Sequence, residues 1–325
     1  MAAAEFKTYI TTELPIGKLQ SMAEGFNEVF GKNLSVAYFE QQALITVKGY
    51  SYHSFMEVDG EVVGACTGIP YTYMYNGQKM IFGLPINLFV KKEYRKDPFA
   101  LYKIYSKLKD MMIKGGLSFA MAVPNEQSYP YFIHALKWKD IGALPYYALP
   151  ARYGNIKKRN HLFNVASLAF SYTLTTLECF RSFFMNSMEK QLPVCIVRSE
   201  PLMENHRYTS DHVKVKMKSY SFFYRFDTEE GIKTVYLIDF YNEAGKKDAK
   251  SLNRSVRYIL KHVETDIILF VGKLHFTQFS LLKVPSAMEP RKLTFSGEIL
   301  NKVEVGPDIF EFKNWDFGLY NFDVR

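Results

Sequence analysis

Four cations within six residues, Lys91, Lys92, Arg95 and Lys96, stand in the stretch LFVKKEYRKDPFALYKIYSKLKD (88–110), just ahead of an amphipathic segment. Scattered lysines serve a solvated face, whereas a cluster at the joint between an apolar run and a helix suits an anion. The first turn of a helix carries unsatisfied N–H groups and the positive end of the helix dipole, so a phosphate settles there and nearby cations neutralise it. Other chemistries find no support: G-x-S-x-G and H-E-x-x-H are both absent. Cys66, Cys179 and Cys195 are widely spaced and odd in number, with no C-x-x-C, so no disulfide framework and no metal site is expected. Each is read as a buried structural thiol.

The elements that must position the cluster follow from spacing. Asp97 suits an N-cap and Pro98 an N1 position, after which Leu101, Ile104, Tyr105, Leu108, Met111 and Met112 recur at helical intervals until Gly115-Gly116. Upstream, Leu19, Met22, Phe26, Val29 and Phe30 mark another helical face, and two hairpins follow, turning at Asp59-Gly60 and Asn76-Gly77. LSFAMAV (117–123) reads as a buried strand, NEQSYPYFIHAL as loop and short helix, and KWKDIGALPYYALP as a last strand region. Glu57 and Asp59 are read as surface groups of the first hairpin.

With 325 residues, 48% hydrophobic and 16% aromatic, the chain can bury a large core and two domains are expected. The boundary falls in the polar ARYGNIKKRNH, giving domains 1–155 and 156–325, the second opening on a helix near 174–189 and continuing with strands such as LPVCIVRS and VKVKMKSYSFFYRF. The two parts echo each other: Leu88 to Phe119 and Ile238 to Leu269 both span 31 residues, with strand, basic loop, helix and strand in order. A net charge of +8 points to an anionic partner. The start, MAAAEFKTYITTELP, lacks a basic region followed by an apolar one, so no signal peptide is expected, and no run reaches a membrane span. A cytoplasmic protein is expected.

Taken in order, these elements resemble the GNAT superfamily of acyltransferases over about residues 15 to 150. The family's cofactor signature, Arg or Gln followed by x-x-Gly-x-Gly/Ala, falls on Arg95, Lys96, Asp97, Pro98, Phe99 and Ala100; FVKKEYR resembles its strand end, and VPNEQSY…ALKWKDIGALPYYALP a segment of sugar-modifying and Fem-type members. NWDFGLYNFDV (314–324) resembles the end of two-part members. The implied fold is α/β (α+β): tandem GNAT-like domains, each a mostly antiparallel mixed sheet flanked by helices, the second degenerate.

The resemblance implies acetyl-CoA (CoA) as cofactor, its pyrophosphate at Arg95–Ala100 and its pantetheine arm along Leu88, Phe89 and Val90. Pro98 cannot donate an N–H and Asp97 brings a negative charge, so a rearranged cradle is expected. Asn125 is implied near the thioester. The family's proton-donating tyrosine falls on Phe132 or Ile133, leaving Tyr129 or Tyr131 as substitutes, while His53 and His134 are candidate bases with pKa values near 7. The implied activity is N-acyl transfer to a small amine, with an amino sugar bound for surface polysaccharide as the best guess. A non-catalytic acyl-CoA or nucleic-acid binding module and a Fem-type aminoacyl transferase are the alternatives, and nucleic acid is the weaker partner, with no recognition motif for it.

Overall fold

The protein is described from a computed structural model, which covers residues 3–158, 160–184, 192–198 and 211–322. In chain order the strands are β1 (Glu5–Ile10), β2 (Tyr52–Val58), β3 (Glu61–Tyr75), β4 (Gln78–Val90), β5 (Phe119–Ala122), β6 (Lys139–Ala143), β7 (Tyr146–Pro150), β8 (Val194–Ile196), β9 (His212–Met217), β10 (Tyr220–Glu229), β11 (Ile232–Asn242), β12 (Ile267–Val271), β13 (Leu282–Lys283) and β14 (Thr294–Ile299). The helices are α1 (Lys18–Phe30), α2 (Val36–Leu44), α3 (Ala100–Lys114), α4 (Tyr153–Ile156), α5 (Leu162–Phe184) and α6 (Ala249–His262).

Two compact units share these elements. Of the described residues, the first unit holds 3–142, 193–198 and 293–314, and the second holds 143–158, 160–184, 192, 211–292 and 315–322. The chain leaves the first unit near residue 142 and returns twice, whereas the sequence suggested one passage near 155. β8, expected in the second part, pairs with β3 of the first unit.

The first unit's sheet runs β1-β2-β3-β4-β5-β14-β6. Both expected hairpin turns form, with Asp59, Gly60, Asn76 and Gly77 all at positive φ. α3 covers one face of this sheet, burying Ile104, Tyr105, Leu108 and Met112 with Tyr52, Met56 and Cys66. On the other face α1 and α2 bury Met22, Phe26 and Phe39 against Phe55 and Phe89. α3 closes where Gly116 takes a φ of 77°; Gly115 lets the chain pass the Tyr52 hydroxyl, which a Cβ there would meet at 2.1 Å. Glu57, expected at the surface, is buried and paired with Lys7 at 3.2 Å and Lys18 at 2.8 Å, because β2 lies inside the sheet with β1 beyond it.

The second unit's sheet runs β13-β7-β12-β11-β10-β9, with Phe222, Leu237, Phe240, Leu252, Val256 and Phe270 in its core. Each unit therefore carries a mostly antiparallel mixed sheet flanked by helices. The helix expected near 174–189 runs over 162–184, and 185–189 lie outside the described residues, as do 323–324 of the C-terminal stretch. Of the three thiols, Cys66 is buried but Cys179 is exposed.

The 31-residue echo has a structural basis. β4 and β5, joined across α3, form a parallel pair, and so do β11 and β12, joined across α6. Both first strands also carry one extra residue: the β3–β4 register jumps between Ala65 and Thr67, opposite Asn87 and Leu88, and the β10–β11 register between Phe223 and Tyr224, opposite Ile238.

Candidate functional site

In the first unit the parallel pair parts early. β4 pairs with β5 only at Phe82–Phe119 and Gly83–Ala120, although β4 continues to Val90. Farther along β4 the extra residue falls at Asn87 and Leu88, with Asn87 at a φ of 54°, a left-handed conformation that asparagine tolerates better than most residues. Asn87 is buried and its Nδ2 donates to Gln42 Oε1 at 3.0 Å. Leu88 and Val90 project with Ala100 into the α3-side core, whereas Phe89 turns into the opposite core, as period-two alternation requires.

The cation cluster caps this gap. Arg95 folds back, its Nε donating to the Val90 carbonyl at 2.8 Å. Lys91 pairs with Glu28 at 3.0 Å, and Lys103 with Asp97 at 2.9 Å. Lys92 and Lys96 are exposed and form no salt bridge among the described residues. The helix begins at Ala100, later than expected, because Pro98 lies in a turn that Asp97 closes by accepting the Phe99 N–H at 2.8 Å. Asp97 is held below the usual carboxylate range by Lys103 and by that N–H. The Leu101 and Tyr102 N–H groups have no backbone partner among the described residues, as the geometry of a helix start requires. Phe99 and Tyr102 flank them with 62% and 47% of their surfaces exposed.

Past β5 the chain turns over Asn125, exposed, whose Oδ1 accepts the Ser128 N–H at 2.8 Å and the Ser128 hydroxyl at 2.9 Å. Tyr129 donates to Asp140 Oδ2 at 2.5 Å while Ser296 donates to Oδ1 of the same side chain, and that carboxylate raises the phenol's pKa. Tyr131 opens a single π-helical turn (Tyr131–Ala135) and packs against the same core as Leu88 and Leu101. Its hydroxyl is buried and lacks a hydrogen-bond partner among the described residues, and burial raises its pKa, so the phenol keeps its proton. Phe132, beside it, is core.

The structure separates the two histidines. His134 is exposed on the π turn. His53 is fully enclosed, hydrogen-bonded to Thr11 Oγ1 at 2.9 Å and Thr67 Oγ1 at 3.1 Å. Desolvation pulls its pKa down to about 3, which corrects the expectation of a value near 7. The reason is alternation along β2: Tyr52 and Met56 face α3, so His53 and Phe55 face α1, across the sheet from Tyr131.

Sequence reasoning passed over Asn87 and its bulge. The signal was one polar residue inside the apolar run PINLFV, and nothing local distinguishes it from a surface position.

The second unit repeats the gap and fills it. β11 pairs with β12 through Tyr236, then runs on to Asn242 paired only with β10. Here Lys247, from the loop before α6, is buried with its Nζ 3.3 Å from Asp316, 3.6 Å from Asp239 and 3.7 Å over the Tyr320 ring, beside Phe240 and Phe270. Among the described residues no cluster of His, Cys, Asp or Glu could hold a metal ion.

No protein-family model and no curated protein sequence matches the chain. Solved structures do. A GCN5-related N-acetyltransferase from Anabaena variabilis aligns over 91% of this chain and 73% of its own, at 11% identity and a TM-score of 0.58. Eis1 from Mycobacterium abscessus aligns over 92% and 74%, at 9% identity and 0.56. Saccharomyces cerevisiae N-myristoyltransferase, solved with myristoyl-CoA, aligns over 90% and 82%, at 10% identity and 0.52. The fold is that of the GNAT acetyltransferases, in two halves.

Proposed function

We propose that the chain is an acetyl-CoA-dependent N-acyltransferase, with the cofactor in the first unit and a small amine, an amino sugar among the candidates, as acceptor. The reading rests on the parting of β4 from β5 past Gly83, beside a helix start with uncommitted N–H groups. A peptide-like arm can bond to the open edge of β4 between Leu84 and Val90, as an added strand would. Lys92 and Lys96 would meet phosphate oxygens with the Leu101 and Tyr102 amides, and Phe99 or Tyr102 offers a face to the adenine ring. This is a rearranged cradle: Pro98 supplies no N–H and Asp97 is already engaged by Phe99 and Lys103. The site fits an acyl thioester because the buried Tyr131 hydroxyl lacks a partner that a sulfur or carbonyl would supply.

Acetyl-CoA, when bound, supplies an activated acyl group. The first turn of α3 and the open edge of β4 would hold it, and Tyr131 Oη would hold the proton that a thiolate leaving group needs. His134, exposed on the same turn, receives the proton the amine releases, and the Asn125 amide orients the carbonyl. Tyr129 supports Asp140 instead, through its short hydrogen bond. Lys247 occupies the second unit's gap, which supports a single cofactor site per chain.

Thermal unfolding with acetyl-CoA, ATP or short RNA at matched ionic strength tests the reading. Acetyl-CoA at about 100 times its Kd stabilises by roughly 2.7 kcal/mol, several degrees for a chain of this size. Lys92→Ala with Lys96→Ala removes most of that shift. An equal shift with RNA, or none with millimolar acetyl-CoA, overturns the proposal.

A further inference from the structure

α5 is built inside out. Its buried residues are polar: Asn164 bonds to Asn155, Ser171 to the Pro150 carbonyl, the Thr175 carbonyl accepts from Asn253, and Glu178 accepts the Phe279 N–H at 2.8 Å. Its outward residues are mostly apolar, among them Leu162, Val165, Leu177, Phe180, Phe183 and Phe184, exposed by 51% to 83%, with Thr173 and Thr176 between them. The only charges in these 23 residues are Glu178 and Arg181, which pair with each other at 2.6 Å. A helix of this length runs about 34 Å, so the uncharged face is far larger than scattered surface residues produce.

The neighbouring α6 supplies the charge. Lys250, Arg254, Arg257 and Lys261 follow one line along it, at helical intervals, and the helix contains no acidic residue. Arg257 Nη1 reaches the exposed Cys179 Sγ of α5 at 3.4 Å, so the cationic line borders the apolar face. Among the described residues no helix is long and apolar enough to cross a membrane, and the polar face of α5 is committed to the second unit.

We propose that α5 and α6 form a docking surface for an anionic lipid bilayer, α5 lying in the plane of the interface with its aromatic side outward and the α6 cations against the headgroup phosphates. Apolar area joined to a cationic border is what such an interface binds. A second copy of the chain is the poorer occupant, since an isologous contact would oppose identical patches whose one carboxylate among the described residues of α5 and α6, Glu178, is already paired with Arg181. The inference is independent of the acyltransferase reading, because no residue of the first unit enters it.

Flotation with vesicles of phosphatidylcholine alone or mixed with phosphatidylglycerol tests it. The protein should float with the anionic vesicles and release at high salt. Phe180→Glu with Phe184→Glu should abolish binding; Lys250→Gln and Lys261→Gln should each weaken it about fivefold. Both pairs are exposed, and their unfolding temperatures check that the fold survives. In Phe180→Trp the new indole should shift to the blue on anionic vesicles, since Trp138 and Trp315 are buried. Failure to float, or flotation unchanged by these substitutions, overturns the proposal, and a dimer that Phe180→Glu disperses would assign the face to a second copy.

Discussion

Tyr131 and Tyr129 are two residues apart and have opposite circumstances. The Tyr129 hydroxyl is bound to Asp140, whereas that of Tyr131 is buried without a hydrogen-bond partner among the described residues. On the proposed mechanism Tyr131→Phe lowers kcat by about 10²-fold or more with little change in acetyl-CoA affinity, while Tyr129→Phe leaves kcat nearly intact. Steady-state kinetics beside direct binding separates the two. His53 carries a different prediction. Its folded pKa, about 3, lies below the ordinary 6.5, so between those values the unfolded chain binds the extra proton. Its contribution to stability is therefore complete above pH 6.5 and is lost as pH falls toward 3. His53→Gln should flatten the pH dependence of the unfolding midpoint in that window and leave acyl transfer at neutral pH unchanged. Residue types and spacing suffice to nominate both tyrosines and both histidines. They do not choose between them, because the face each side chain takes depends on strand register and on partners distant in sequence.

The loops ahead of α3 and α6 occupy matching places and aim their lysines in opposite directions. Lys96 is exposed, whereas Lys247 is buried between two carboxylates and three aromatic rings. Lys247→Met should destabilise by about 3–5 kcal/mol, because Asp239 and Asp316 are left buried without their cation. Adding Asp239→Asn and Asp316→Asn should recover part of this, which denaturant unfolding measures. At the bulge, Asn87→Val should cost about 1–2 kcal/mol for the left-handed backbone as well as the Gln42 contact, and Asn87→Gly should cost less. The hairpins, α3 and the strand–helix–strand echo are legible in the sequence, since each is written in local periodicity and turn chemistry. The bulges and the parting strands are not, because an extra residue exists only relative to the strand beside it.

At the scale of the molecule, the first unit is not one stretch of chain. Its sheet carries β14, residues 294–299, between β5 and β6. Glu298 of that strand bonds to Tyr105 at 3.1 Å and pairs with Lys109, while Phe310 packs on Phe119. A fragment ending at 155 should therefore fail to fold, giving aggregates or a loosely packed chain by near-UV circular dichroism. The sequence could not announce this. TFSGEI (294–299) reads as a short strand anywhere, and its neighbour β5 is 172 residues away, from Ala122 to Thr294. That distance also sets a timetable on the ribosome. At about 5–20 residues per second, β5 emerges some ten to thirty seconds before the strand that covers its edge. During that interval the nascent sheet exposes an unpaired apolar border, the kind of surface that recruits chaperones or other nascent chains. Slowing translation between codons 122 and 294 should therefore lower the soluble yield, and the same delay placed before codon 119 should not.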